Sequence, residues 1–118
     1  MKKQITITIP DIEDCAFKVE CLPEDMQIKG NASAIDEETD KAIEQEINRQ
    51  LGNGNPWAWC TVKVTCYFDN GLDGIEGVDY LGGCSYKDKA DFVQGGYFED
   101  MKAQAYDDFL SKVESLAR

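Results

Sequence analysis

The alternation of hydrophobic and polar residues predicts β-strands in the chain. Gln4–Ile9 alternates between Ile and polar residues, and Trp57–Phe68 carries the longest alternation. Ala16–Leu22 is predicted as a second strand that ends before Pro23. Val78–Tyr86 is the expected hairpin partner of Trp57–Phe68, and the two glycines at 82–83 predict a bulge within it.

The two faces of the Trp57–Phe68 strand differ in character. The face with Val62 and Val64 is small and apolar, so we expect it to be buried beneath the helices. The opposite face carries Trp57, Trp59 and Tyr67, and we expect it to be partly open.

Spacings of three and four residues predict two main helices, Ala34–Leu51 and Tyr97–Ala117. In the first, Ser33 is the expected N-cap and acidic residues fill the first turn. Its expected buried ridge is Ile35, Ile43, Ile47 and Leu51. The second helix has one apolar stripe, formed by Phe98, Met101, Ala105, Phe109, Val113 and Leu116. A short helical turn is expected at Asp88–Gln94, ended by two glycines.

The order β-β-α-β-β-α implies few parallel crossovers and therefore an α+β fold. We expect an antiparallel sheet of about four strands, with the two main helices packed on one face. A chain of 118 residues without a linker or repeat predicts a single domain over residues 1–118.

The composition argues against an enzyme. The chain has no His, which removes the commonest general base and metal ligand, so we expect no catalytic residues and no cofactor. Lys and Arg number 12 against 23 Asp and Glu, a formal charge of -11. Such a chain repels phosphate, so we expect no direct contact with nucleic acid and no attraction to an anionic membrane. The alternating N-terminus is unlike a secretory signal, which predicts a cytoplasmic protein.

Five cysteines are present, at positions 15, 21, 60, 66 and 84. We expect them to be reduced and mostly buried as small apolar side chains, and we expect no bound metal. The two C-x5-C spacings are wider than the usual spacing of zinc ligands. A small cysteine-metal protein is the third interpretation of this sequence.

Two features are candidate binding surfaces. The predicted helices carry acidic rows, in which carboxylates at helical spacing could imitate a phosphate array. The expected members are Glu37, Asp40 and Glu44 on the first helix, and Asp100, Asp107 and Glu114 on the second. Trp57, Trp59 and Tyr67 form the second candidate, because aromatic residues are enriched in binding hot spots. The alternative for these aromatic residues is a loop or the N-terminal strand that covers them as a second small core.

Three motifs give the chain a resemblance to a known group of proteins: WAWCTV at 57–62, DYLGGCSY at 79–86, and GGY at 95–97 followed by Asp100-Met101. With them, residues 56–110 resemble short acidic proteins encoded by tailed phages and related mobile elements. The resemblance implies a setting inside an infected bacterium, where small acidic phage proteins often block host defences, as anti-restriction and anti-CRISPR proteins do. It assigns no active residues, and residues 1–55 lie outside it.

The leading functional prediction is therefore a non-enzymatic inhibitor of phage type in the host bacterial cytosol. It would bind a basic, nucleic-acid-handling bacterial protein through its acidic helical surface, in the manner of a nucleic-acid mimic. The alternative is a structural or assembly accessory that docks through the Trp/Tyr face. The oligomeric state stays open, with a homodimer among the possibilities.

Overall fold

The structure, a computed structural model, describes residues 9–32, 35–68 and 74–116. Its strands are β1 (Ala16–Leu22), β2 (Cys60–Tyr67) and β3 (Glu76–Cys84), and they form one antiparallel sheet in the order β1-β2-β3. Its helices are α1 (Glu37–Gly52), α2 (Lys89–Gln94) and α3 (Tyr97–Leu116). The predicted α+β class is confirmed.

The predicted count of four strands and their order are not matched exactly. The described residues contain three strands, and the predicted strand Gln4–Ile9 lies outside them apart from Ile9. The prediction Ala16–Leu22 is confirmed as β1. The third predicted strand begins later than expected, because Pro56–Ala58 forms a 3-10 turn in which the Asn55 side chain accepts a hydrogen bond from the backbone N–H of Trp57.

Helix α1 begins three residues later than predicted. The Asp36 carboxylate accepts a hydrogen bond from the N–H of Thr39 at 2.6 Å, so Asp36 is the N-cap instead of a first-turn residue. Ser33, the expected cap, lies outside the described residues. Ile35 therefore precedes the helix and is 78% exposed, so its predicted place in the buried ridge was wrong. Ile43 is also exposed, whereas Ile47 is buried as predicted.

The described residues belong to two compact units, each built from separate stretches of the chain. The first unit contains residues 9–18, 64–68, 74–79 and 99–116, and the second contains 19–32, 35–63 and 80–98. The single domain and the packing of both main helices on one face stay predictions.

In the first unit, α3 buries the part of its predicted stripe that runs from Met101 to Val113, whereas Phe98 is half-buried in the second unit. The side chains of Met101, Ala105, Phe109 and Val113 are at most 3% exposed, which confirms the helical period, and that of Leu116 lies outside the described residues. The backbone of α3 lies directly on Gly77 of β3, where a Cβ atom would overlap the carbonyl oxygen of Ala105 and the backbone of Phe109. The Asp108 carboxylate accepts the N–H of Val78 at 2.9 Å and joins the same two elements.

The second unit has two buried groups. Ile47 of α1 packs with Ala58 and Trp59, and Ile28, Ala32 and Leu51 close this cluster. Phe92 of α2 is fully buried, and its ring contacts those of Trp57, Tyr86 and Phe98 at centroid distances of 5.2 to 6.0 Å. In the described part of the chain, no helix has the length and apolar character that crossing a membrane requires.

Candidate functional site

The strongest candidate surface is a row of three carboxylates on α3, which we call the α3 row: Asp100, Asp107 and Glu114. All three residues are exposed. Seven residues make almost two helical turns, so the row runs nearly parallel to the axis and drifts by only about 20° per step. On the helical wheel it lies opposite the buried stripe of Met101, Ala105, Phe109 and Val113. Its exposure therefore follows directly from the burial of that stripe.

The lysines of α3 point away from the α3 row. Lys102 pairs with Glu99 at 2.9 Å, and its ammonium group lies 5.8 Å from the ring centroid of Phe17. Lys112 donates to the carbonyl oxygen of Glu76 at 2.7 Å and pairs with Asp108 at 3.0 Å. Among the described residues, no ion pair includes a member of the α3 row. The row therefore keeps its charge facing outward.

Asp108 is a useful contrast, because this neighbouring carboxylate serves the fold. The hydrogen bond from the N–H of Val78 and the interaction with Lys112 hold the pKa of Asp108 below its usual range. Its negative charge is thus shared with the backbone of β3 and a lysine. Asp107, one residue earlier, is exposed and belongs to the α3 row.

The acids predicted on α1 do not form an equivalent row. Asp40 is 8% exposed, and its two carboxylate oxygens accept the N–H groups of Gly30 and Ala32 at 2.8 and 2.9 Å. The Asp40 side chain is therefore buried and anchors the preceding loop, and its predicted role in partner binding stays a prediction. Glu44 is half-buried and Glu37 is exposed.

The region around these α1 acids also contains cations. Glu37, Asp40 and Glu44 line an open cavity of about 580 Å³ together with Lys29 and Lys41. Further along α1, the guanidinium of Arg49 hydrogen-bonds Glu46 and lowers the pKa of that carboxyl to about 2. Positive groups thus lie beside the acids of α1, unlike on the outer face of α3.

The role of Asp40 gives a first prediction. Asp40→Ala removes two acceptors of backbone N–H groups, so we expect it to lower the free energy of unfolding by about 2 kcal/mol. Glu44→Ala, one turn along the same helix, is the matched control and should change it by less than about 0.5 kcal/mol. Urea unfolding of both variants, followed by circular dichroism, gives the comparison. Equal stability of the two variants would show that Asp40 does not hold the loop.

The aromatic candidate surface is largely covered. Trp59 is 8% exposed, and its indole N–H donates to the carbonyl oxygen of Met26 at 2.8 Å. Trp57 is half-buried against Phe92, and Tyr67 is also half-buried. The expected open Trp face was therefore wrong for Trp59, and the alternative of a covering loop holds: residues 26–32 contribute Met26, Ile28 and Ala32 to this cover.

Sequence reasoning missed Glu24, which joins the loop after β1 to β2 and β3. Its carboxylate accepts hydrogen bonds from the N–H of Met26, the hydroxyl of Thr61 and the N–H of Gly83, at 2.6 to 2.9 Å. These bonds lower the pKa of Glu24, with Thr61 the largest cause. No periodic pattern marks such a residue, because all its partners except Met26 are distant in sequence.

Comparison with protein-family models, with curated protein sequences and with solved structures gives no match for this chain. The described residues also bring together no group of three or more Cys, Asp and Glu side chains that could hold a metal ion.

Proposed function

We propose that this protein is a non-enzymatic binding protein of phage type that docks the α3 row onto a basic surface of a bacterial nucleic-acid-binding protein. The observation that supports this most is the outward-facing row of three carboxylates, with the two lysines of α3 engaged elsewhere in the first unit. The resemblance of residues 56–110 to short acidic phage proteins supports the setting, which is the cytosol of an infected bacterium.

The spacing of the α3 row suits a partner with several exposed cations. Carboxylates seven residues apart on a helix are about 10.5 Å apart along its axis. Each member of the row is therefore far enough from the next to pair with its own Lys or Arg side chain of the partner. The formal charge of -11 adds long-range attraction to a cationic partner, which favours rapid association at low salt.

Neutralising the α3 row tests this proposal. The triple variant Asp100→Asn, Asp107→Asn, Glu114→Gln removes three charges at exposed positions. At about 0.5 kcal/mol for each exposed pair, we expect roughly tenfold weaker retention of the partner. The measurement is capture from bacterial lysate at low and high salt, with quantitative mass spectrometry of the retained nucleic-acid-binding proteins.

The matched control is Asp11→Asn, Asp25→Asn, Glu38→Gln, which removes the same charge from exposed residues outside both predicted acidic rows. We expect it to reduce retention by less than about threefold, which is the effect of net charge without a specific surface. If both triple variants lose the partner equally, the α3 row is not the binding surface.

A further inference from the structure

The cysteines of β1 and β2 face each other as two pairs of thiols. In the first unit the Cys66 thiol lies close enough to interact with Cys15, and in the second unit the Cys60 thiol lies close enough to interact with Cys21. All four are free thiols in this structure. The residue numbers sum to 81 in both pairs, as a single register between two antiparallel strands requires.

This register brings the paired residues within reach of a disulfide. Directly opposed residues of antiparallel strands have Cα atoms about 4.5 to 5.5 Å apart, and disulfides join Cα atoms about 4.4 to 6.8 Å apart. Cys15 directly precedes the first residue of β1, so the ladder needs to extend by only one residue to include it. A bond between these sulfurs would therefore need little movement of the backbone.

The pair in the first unit lies at an open cavity. Cys15 is partly exposed and lines an open cavity of about 370 Å³, whose other members include Glu13, Phe17, Glu99 and Lys102. Its partner Cys66 is fully buried. Lys102 and the two glutamates give this cavity charges of both signs, which suits a small molecule that carries both carboxylate and ammonium groups.

We propose that Cys15 and Cys66 form a dithiol site that small charged disulfides of the glutathione type oxidise to a cross-strand disulfide. The Cys15 thiolate attacks one sulfur of the small disulfide and expels one thiolate, which leaves a mixed disulfide on Cys15. The Cys66 thiolate then attacks the Cys15 sulfur and expels the second. The two protein sulfurs are oxidised, the small disulfide is reduced to two thiols, and these take up the two protons that the cysteines lose.

The burial of the thiols sets the conditions for the reaction. Burial raises the pKa of Cys15, and burial together with the interaction with Cys15 raises that of Cys66 to about 12. Few thiolates are present at neutral pH, so the exchange is slow there and is best followed at about pH 8.5. The slow second step is the attack by Cys66, since that thiol is the buried one.

Trypsin makes the product directly readable. Cleavage after Lys and Arg places Cys15 in peptide 4–18, Cys21 in 19–29 and Cys60 in 50–63, while Cys66 shares peptide 64–87 with Cys84. The folded full chain is incubated with oxidised glutathione, alkylated and digested without reduction. We expect peptides 4–18 and 64–87 to be joined, at about 2 Da below the sum of their masses. This link should precede any link between 19–29 and 50–63.

Three cysteine variants identify which two sulfurs form the link between peptides 4–18 and 64–87. Cys84→Ser should keep the link between 4–18 and 64–87, and Cys66→Ser should lose it and retain glutathione on Cys15. Because Cys66 is buried and its variant could fail to fold, Cys15→Ser at the partly exposed position is the second test and should also lose the link. Stable glutathione on Cys15 of the native chain without the link, or earlier joining of 19–29 to 50–63, would overturn the proposal.

Discussion

Gly77→Ala is expected to lower the free energy of unfolding by at least about 3 kcal/mol, the largest effect of alanine at any glycine that the structure describes. The added Cβ atom would overlap backbone atoms of Ala105 and Phe109, which cannot rotate away as a side chain can. Helix α3 would have to move off β3, and the hydrogen bond between Val78 and Asp108 would be strained with it. Urea unfolding followed by circular dichroism measures the loss.

Gly96→Ala is the control for this substitution. A Cβ at Gly96 meets nothing within 4 Å, and this residue is not among the glycines with positive φ. Its expected change in the free energy of unfolding is below about 0.5 kcal/mol. Equal stability of the two alanine variants would mean that α3 does not lie on β3 as the structure has it.

Glu24→Ala is expected to lower the free energy of unfolding by about 3 kcal/mol. The substitution leaves the N–H groups of Met26 and Gly83 and the hydroxyl of Thr61 without their acceptor. Because the carbonyl oxygen of Met26 accepts the indole N–H of Trp59, the cover over this Trp should loosen as well. Tryptophan fluorescence during urea unfolding reports both effects, and Asp25→Ala at the exposed neighbouring residue is the control.

The contribution of Glu24 also predicts a pH dependence. The folded state lowers the pKa of this carboxyl from 4.5, so its stabilisation is complete above that pH and is lost as the pH falls through the folded value. We therefore expect the stability difference between the native chain and Glu24→Gln to shrink between about pH 5 and pH 3. A difference that stays constant over this range would exclude the charged form of Glu24 as the acceptor.

Local periodicity predicted the elements whose pattern is set by near neighbours. The stripe from Met101 to Val113 repeats every three or four residues, so it located α3 and, on its opposite side, the exposed α3 row. The strand β1 was likewise predicted with its observed bounds, because its run of β-forming residues ends at Pro23. The acidic residues of α3 were predictable because the burial of a helix on one side fixes what the other side presents.

Contacts between distant residues account for the burial that periodicity did not predict. Asp40 was assigned to an acidic row by its spacing on the helix, but its oxygens accept the N–H groups of Gly30 and Ala32 of the preceding loop. Trp59 directly precedes β2 and alternates with the buried residues Ala58 and Cys60, so its side chain was expected on the open face. It is nevertheless covered, because its indole N–H donates to the carbonyl oxygen of Met26 in the loop after β1. Gly77 lies just outside the predicted strand Val78–Tyr86, but it is buried in β3 under α3.

The salt dependence of affinity decides whether the α3 row binds a cationic protein surface. The partner retained from lysate is purified, and its Kd is measured over a range of salt concentrations for the native chain and for the Asp100→Asn, Asp107→Asn, Glu114→Gln variant. We predict an affinity for the native chain that falls steadily with salt, and a clearly shallower dependence for the variant, since three charge pairs are lost. The same slope for both proteins, or an affinity that salt leaves unchanged, would contradict the account.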